Sequence, residues 1–221
     1  MTETKARKYF LFQLAFFGAA VVINFVLPRT ASYFHIPLYL DNVGTLLAAV
    51  LGGYLPGIFV GYLNNIINMQ GNPGNAYYVV LSTMIAAMGS YLGMKGYFKK
   101  FTKALITIPV FAFIGGVLGS ILTFLLYGYG MGEGISAPFA RALLDNGTLN
   151  VFWAQMVSDI VIDLIDKAIT VILVFFSSGS YLKTSGPIYG LPAGGRLLCP
   201  RRHASKQEKM RPDLFPSGPR S

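Results

Sequence analysis

Charge is scarce in this sequence. Only 12% of its 221 residues are Asp, Glu, Lys or Arg, against about 25% in soluble domains. With 53% apolar residues and a mean hydropathy of +0.53, that scarcity excludes an ordinary soluble enzyme and a disordered chain. It assigns the sequence to the membrane class. Cysteine is nearly absent, and a lone Cys199 excludes an internal disulfide and a cysteine-clustered metal site. The two histidines, His35 and His203, stand far apart without companions at ligand spacing, so no metal centre is expected. Catalytic signatures are missing too. There is no GxxxxGK[ST], HExxH, GxSxG or CxxC, and the expectation is a non-enzyme with no cofactor.

The charge that exists is unevenly placed. Residues 1–176 hold ten Lys/Arg against seven Asp/Glu, whereas residues 177–221 hold eight against two. Most of the net +9 is therefore a property of the tail and is no argument for nucleic-acid binding. A basic tail beside a membrane meets anionic lipid. Residues 177–221 also hold six of the twelve prolines, a composition that predicts disorder. The division expected is a membrane domain over 1–176 and a basic Pro/Gly/Ser-rich cytoplasmic tail over 177–221.

Apolar runs at 9–27, 77–94, 104–127 and 151–176 are long enough to cross a hydrocarbon core of about 30 Å. The first follows Lys5, Arg7 and Lys8. It is long for a signal-peptide core and has no clear cleavage site, so it reads as an uncleaved helix. The stretch 39–68 is ambiguous. Gly52-Gly53-Tyr54-Leu55-Pro56-Gly57 interrupts it, and such a run either kinks one helix or separates two. Basic clusters decide, because Lys and Arg collect on the cytoplasmic side. Two passes put Lys5/Arg7/Lys8, Lys95/Lys99/Lys100/Lys103 and the tail on one side; one pass splits them. The sequence thus predicts an all-α, six-helix membrane bundle in the plasma membrane with both termini cytoplasmic. The predicted spans are 9–27, 39–52, 55–69, 77–94, 104–127 and 151–176, the second and third short and Gly/Pro-interrupted. The 128–150 connection, with glycines at 128, 130, 132 and 134, reads as a flexible loop.

The last span carries the strongest signal. A charge at mid-membrane costs about 2.5–3.5 kcal/mol on insertion scales, yet this helix holds Asp159, Asp163, Asp166 and Lys167. With Gln155 and Thr170 they recur at i, i+4, i+8, i+11/12 and i+15, which is one helical face. Asp163 and Lys167, at i,i+4 in the favourable order, are expected to pair within the membrane. The plain reading of Asp166 and Lys167 is structural, as polar glue between helices.

With helix six starting outside, Gln155 and Asp159 share a level with Asp41 and Asn42 at the start of helix two. Asn64, Asn65 and Asn68, at the end of helix three, reach the same level. Buried amides need partners, and a polar pocket open to the outside supplies them. Asp41, Asn42, Asn64, Asn65, Asn68, Gln155 and Asp159 are the candidate ligand-binding residues. Net acidity there favours a cationic or polar heterocycle over a strong anion. Tyr77, Tyr127 and Trp153 read as an interfacial belt. Small residues four apart, including Ala15/Ala19, Gly53/Gly57, Gly57/Gly61, Gly89/Gly93 and Gly115/Gly119, permit close helix approach.

The six-helix plan and two stretches resemble the substrate-binding S components of energy-coupling factor (ECF) transporters over residues 9–176. The stretches are Leu38-Tyr39-Leu40-Asp41-Asn42-Val43-Gly44-Thr45 and Ala48-Ala49-Val50-Leu51-Gly52-Gly53-Tyr54-Leu55-Pro56-Gly57-Ile58-Phe59-Val60-Gly61. Ala15-Phe16-Phe17-Gly18-Ala19 is similar to that family's AxxxA in helix one. The resemblance implies extracellular capture of a vitamin-like micronutrient. It implies a transmembrane coupling subunit, docked at Ala15 and Ala19, and two ATPase subunits, which fits the missing P-loop. The long basic tail departs from the family pattern. A second reading is the membrane sensor module of a bacterial signalling phosphatase or kinase without its output domain. A third is a free-standing channel or carrier.

Overall fold

The structure is a computed structural model that describes residues 3–128, 134–147 and 149–184. Among these residues it is all-helical. The helices are α1 Glu3–Tyr33, α2 Val43–Gly52, α3 Tyr54–Asn68, α4 Val79–Met94, α5 Phe101–Ile106, α6 Ile108–Ala112, α7 Gly119–Tyr127, α8 Ala137–Asp145 and α9 Val151–Thr184. A 3-10 segment, Pro73–Tyr78, leads into α4. A π-helical segment, Phe113–Leu118, joins α6 to α7. Three stretches, Leu14–Tyr33, Pro73–Met94 and Phe101–Tyr127, are long and apolar enough to cross a membrane, which marks a membrane protein.

The ambiguous stretch forms two helices. The break falls at Gly53, whose φ of 90° lies in a region that glycine enters without a Cβ penalty. All ten residues of α2 are buried, and its neighbours approach it through small residues. A side chain at Gly57 of α3 would overlap Ala49, and one at Gly89 of α4 would overlap Leu46. Gly93 of α4 lies on the backbone of Val50. The glycine pairs of α3 and α4 therefore seat the two helices against α2, where dispersion contacts accumulate without bulky side chains between the backbones.

On the α1 side, Gly44 lies against the carbonyl of Ala20 and the amide of Asn24. Asn42 occupies the N-cap position of α2 without a side-chain cap bond. The cap comes instead from α1. Gly44 N donates to Asn24 Oδ1 at 2.6 Å, and Asn24 Nδ2 donates to Thr45 Oγ1 at 2.8 Å. One fully buried side chain thus satisfies a helix-end N–H that has no partner within α2.

Several boundaries differ from the sequence expectation. The first helix runs to Tyr33 instead of ending at 27, carrying Pro28 inside it. Helix two starts at Val43 and not at 39. Residues 39–42 are non-helical because Leu40 takes a φ of +47° and donates its N–H to Asp166 Oδ1 at 2.6 Å. The connection expected to be a flexible loop contains α8, which buries Ala137 and Ala140; its glycines at 130 and 132 lie outside the described residues. The last helix continues past 176 to Thr184, so the first eight residues assigned to the tail are helical. Residues 185–221, with Cys199 and His203, lie outside the described residues.

The polar stripe on α9 turns inward. Asp159, Asp163, Asp166 and Lys167 are each buried, while Val161, Leu164 and Ile165 on the other side are 42%, 45% and 52% exposed. An apolar face outward and charges inward suits a helix surrounded by lipid.

Replacing Asn24 by Leu tests the α1–α2 cap. It leaves the Gly44 N–H and the Thr45 hydroxyl without their partner, at about 1–3 kcal/mol for each unsatisfied group. Asn24→Leu is expected to lower the melting temperature of the detergent-purified protein clearly, whereas Ser32→Ala at an exposed position is expected to leave it unchanged. Equal melts for the two variants would remove the cap assignment.

Candidate functional site: a polar cavity above the buried helix

Because α2 begins inside the bundle, space remains over its N-terminal end. A cavity of about 670 Å³ occupies it. Its walls come from the end of α1, the 39–42 segment, the end of α3 with the 70–75 connection after it, the start of α4, one side of α7 with Gly115 before it, the Gly134–Ser136 turn and the first five turns of α9. Of the seven residues expected to bind ligand, six line it: Asp41, Asn42, Asn65, Asn68, Gln155 and Asp159. Asn64 stands behind the wall. It donates to the Asp41 carbonyl at 3.1 Å and accepts from Asn68 Nδ2 at 3.2 Å. Ala15 and Ala19 are exposed on α1, away from the cavity.

Two hydrogen-bond chains order the walls. On the α2–α4 side, Asn42 Nδ2 donates to Asp41 Oδ1 at 2.7 Å, and Ser82 Oγ donates to Asn42 Oδ1 at 3.3 Å. Ser82 in turn accepts from Asn65 Nδ2 at 2.7 Å. On the α9 side, Gln155 Nε2 donates to Asp159 Oδ1 at 2.9 Å and to Ser136 Oγ at 3.0 Å. Ser120 Oγ donates to Asp159 Oδ2. Tyr39 OH donates to Ser136 Oγ at 3.4 Å, so the turn before α8 ties the 39–42 segment to α9.

The expected Asp163–Lys167 pair is present at 3.0 Å, but it is one arm of a triad. Lys167 Nζ also meets Asp166 Oδ2 at 2.7 Å, and the other Asp166 oxygen holds the Leu40 N–H. Asp163 and Lys167 both line the cavity, so the ion pair is part of the site's floor. Oδ2 of Asp163 sits against Gly115 in the π-helical segment, where any side chain would overlap it. A π-helical turn inserts an extra residue and often marks a functional site; here it turns a glycine toward a carboxylate.

Several residues in or behind the wall were not among the ligand-binding candidates read from sequence. Ser82 and Ser136 on the wall, and Ser120 behind it, are small polar residues that periodicity does not distinguish from the rest. Tyr39 and Tyr78 line the cavity, with Tyr78 OH and Thr123 Oγ1 2.6 Å apart. Tyr127, read as part of an interfacial belt, is also on the wall, and its hydroxyl accepts from Asn72 Nδ2 at 3.4 Å. Tyr77 and Trp153 do point outward, at 60% and 52% exposed. No protein-family model, curated protein or solved structure matches the chain.

The triad makes a graded prediction. Lys167→Met leaves Asp163 and Asp166 both uncompensated, and breaking a buried pair costs about 3–5 kcal/mol. Asp163→Asn leaves Lys167 its second partner and should cost less. The double variant Asp163→Asn/Lys167→Met should remain well below wild type, because Asp166 stays unpaired. Thermal melts of the three variants give the order. A double variant as stable as wild type would reduce the triad to a simple pair.

Proposed function

We propose that this chain is the substrate-specific membrane subunit of an ECF-type transporter, capturing a vitamin-like micronutrient from the extracellular side for ATP-driven uptake by partner subunits. The observation that carries the reading is the cavity. Its volume of about 670 Å³ falls within the roughly 300–1,000 Å³ of small-molecule sites. It is lined by polar groups from helix ends that gather at one level. In this reading α1, α2 together with the non-helical 36–42 segment before it, α3, α4, the Phe101–Tyr127 rod and α9 are six passes through the plasma membrane, with both termini cytoplasmic. The lysines around 95–103 then share the cytoplasmic side with Lys5, Arg7 and Lys8, as the charge bias of membrane proteins favours.

The coupling face is the outer side of α1. Ala15, Gly18 and Ala19 are exposed, and nothing lies within 4 Å of a Cβ built at Gly18. Flanking Leu14 and Val22 are 60% and 57% exposed. Small residues there allow a partner helix to approach backbone to backbone. The partners proposed are a transmembrane coupling subunit and two ATPase subunits, surrounded by membrane lipid.

Co-expression with coupling and ATPase subunits tests the proposal. Wild-type chain should be recovered in complex with them, carrying a retained small molecule identifiable by mass spectrometry. Ala15→Trp/Ala19→Trp should lose the complex and uptake, yet keep the retained molecule and the wild-type melting temperature. Uptake undiminished by the double substitution would end the coupling-face assignment. Capture of a small molecule without any partner subunit would favour a sensor module.

A further inference from the structure

Resting on the capture reading above, we propose that the cavity takes a small organic cation bearing N–H donors, such as an aminium, an amidinium or a protonated amino-heterocycle. The first argument is the sign of the unmet hydrogen bonds. Gln155 and Asp163 line the cavity, and each keeps one buried oxygen, Oε1 and Oδ2, without a hydrogen-bond partner among the described residues, Oδ2 lying against Gly115. Both are acceptors. Orientation of the Gln155 amide is settled by chemistry, since its other end donates to the Asp159 carboxylate, which in turn accepts from Ser120. Gln155 and Asp163 are themselves 91% and 96% buried, from exposures of 9% and 4%. A buried acceptor left unmet costs about 1–3 kcal/mol, so a ligand that supplies donors recovers more than one that supplies acceptors.

The second argument is charge. Around the inner cavity stand Asp41, Asp159, Asp163 and Asp166, with Lys167 the cation among them. Lys167 is shared by Asp163 and Asp166, and no salt bridge among the described residues reaches Asp41 or Asp159. Arg29 lies at the exposed rim. Its guanidinium is 3.3 Å from the Phe25 ring centroid, and it donates to the Phe25 carbonyl, so it is engaged there. An anionic ligand would meet carboxylates, with the Lys167 ammonium already shared between two of them. A cation with N–H groups meets both the acceptors and the carboxylates.

Tyr39, Tyr78 and Tyr127 add ring faces to the wall, and such faces attract cations. Gln155 and Asp163 are eight residues apart on one helix, roughly 12 Å along its axis. That separation suits a two-ring molecule better than a bare ammonium ion.

Matched probes on the purified full-length chain test the inference. Biphenyl-4-carboxamidine, biphenyl-4-carboxamide and biphenyl-4-carboxylate share a skeleton and differ in head-group charge and donors. A fourth, (biphenyl-4-yl)trimethylammonium, keeps the charge without N–H. The amidinium should bind at least tenfold tighter than each of the other three. Gln155→Met, which removes Oε1 and keeps the chain length, should erase most of that advantage; if this variant fails to fold, the ranking on the wild-type chain decides alone. Carboxylate or amide binding as tight as the amidinium, or no amidinium binding at millimolar concentration, would overturn the ligand class. That failure is separable from failure of the transporter reading. A complex with ATPase subunits that retains an anionic molecule keeps the reading and ends the cation. Amidinium binding by a chain that recruits no partner does the reverse.

Discussion

The length of α2 constrains everything around it. Ten residues span about 15 Å, half of a hydrocarbon core of about 30 Å, and all ten are buried. A helix that short begins inside the bundle, beside the cavity. Its first N–H groups have no partners within the helix and draw them from other elements. Asn24 of α1 supplies one. The segment before α2 is held by Asp166 of α9 through Leu40, and the Asn42 side chain by Ser82 of α4. The polar network therefore follows from where α2 stops, and the cavity is the volume it leaves unfilled.

Electrostatics extends the same constraint. Charges inside a membrane protein persist where they are paired or wetted. Lys167 compensates two carboxylates at once, and one of those carboxylates also fixes a strained backbone turn, with Leu40 at a φ of +47°. The 39–42 segment is thereby tied to α9 through two adjacent residues, Leu40 directly by Asp166 and Tyr39 through Ser136 and Gln155. Asp159 is ordered differently, by the neutral donors Ser120 and Gln155. Within one helical face, four charged side chains thus divide into a salt-bridged group and a hydrogen-bonded carboxylate one turn earlier in α9.

The outer surface carries the complementary information. On α9 the residues facing away from the cavity are aliphatic, and on α1 the exposed side combines aliphatic and small residues. An aliphatic surface is satisfied by lipid, whereas small residues add the geometric possibility of close helix contact. The transporter proposal uses both faces: the inner one for the ligand and the α1 face for a coupling partner.

Sequence alone determined the elements whose cause is local. Apolar runs locate the long helices, Gly53 and Pro56 split α2 from α3, and the spacing of Gln155, Asp159, Asp163 and Lys167 places them on one face of α9. Those features follow from helical period and backbone sterics, which any isolated segment obeys. Six residues that line the cavity were legible as candidates because polar residues in apolar helices stand out against their surroundings. The amphipathic α8, the extension of the last helix to Thr184 and the late start of α2 were not legible. Composition rates glycine and polar stretches as loops, while packing of Ala137 and Ala140 decides α8. Only the tertiary structure decided that Asn24 caps α2, that Asp166 joins the Lys167 pair, and that Ser120, Ser136 and Gly115 reach α9. Each depends on which side chains from distant segments come within about 3 Å in a low-dielectric interior, where an unmet polar group is costly. No local pattern encodes that proximity.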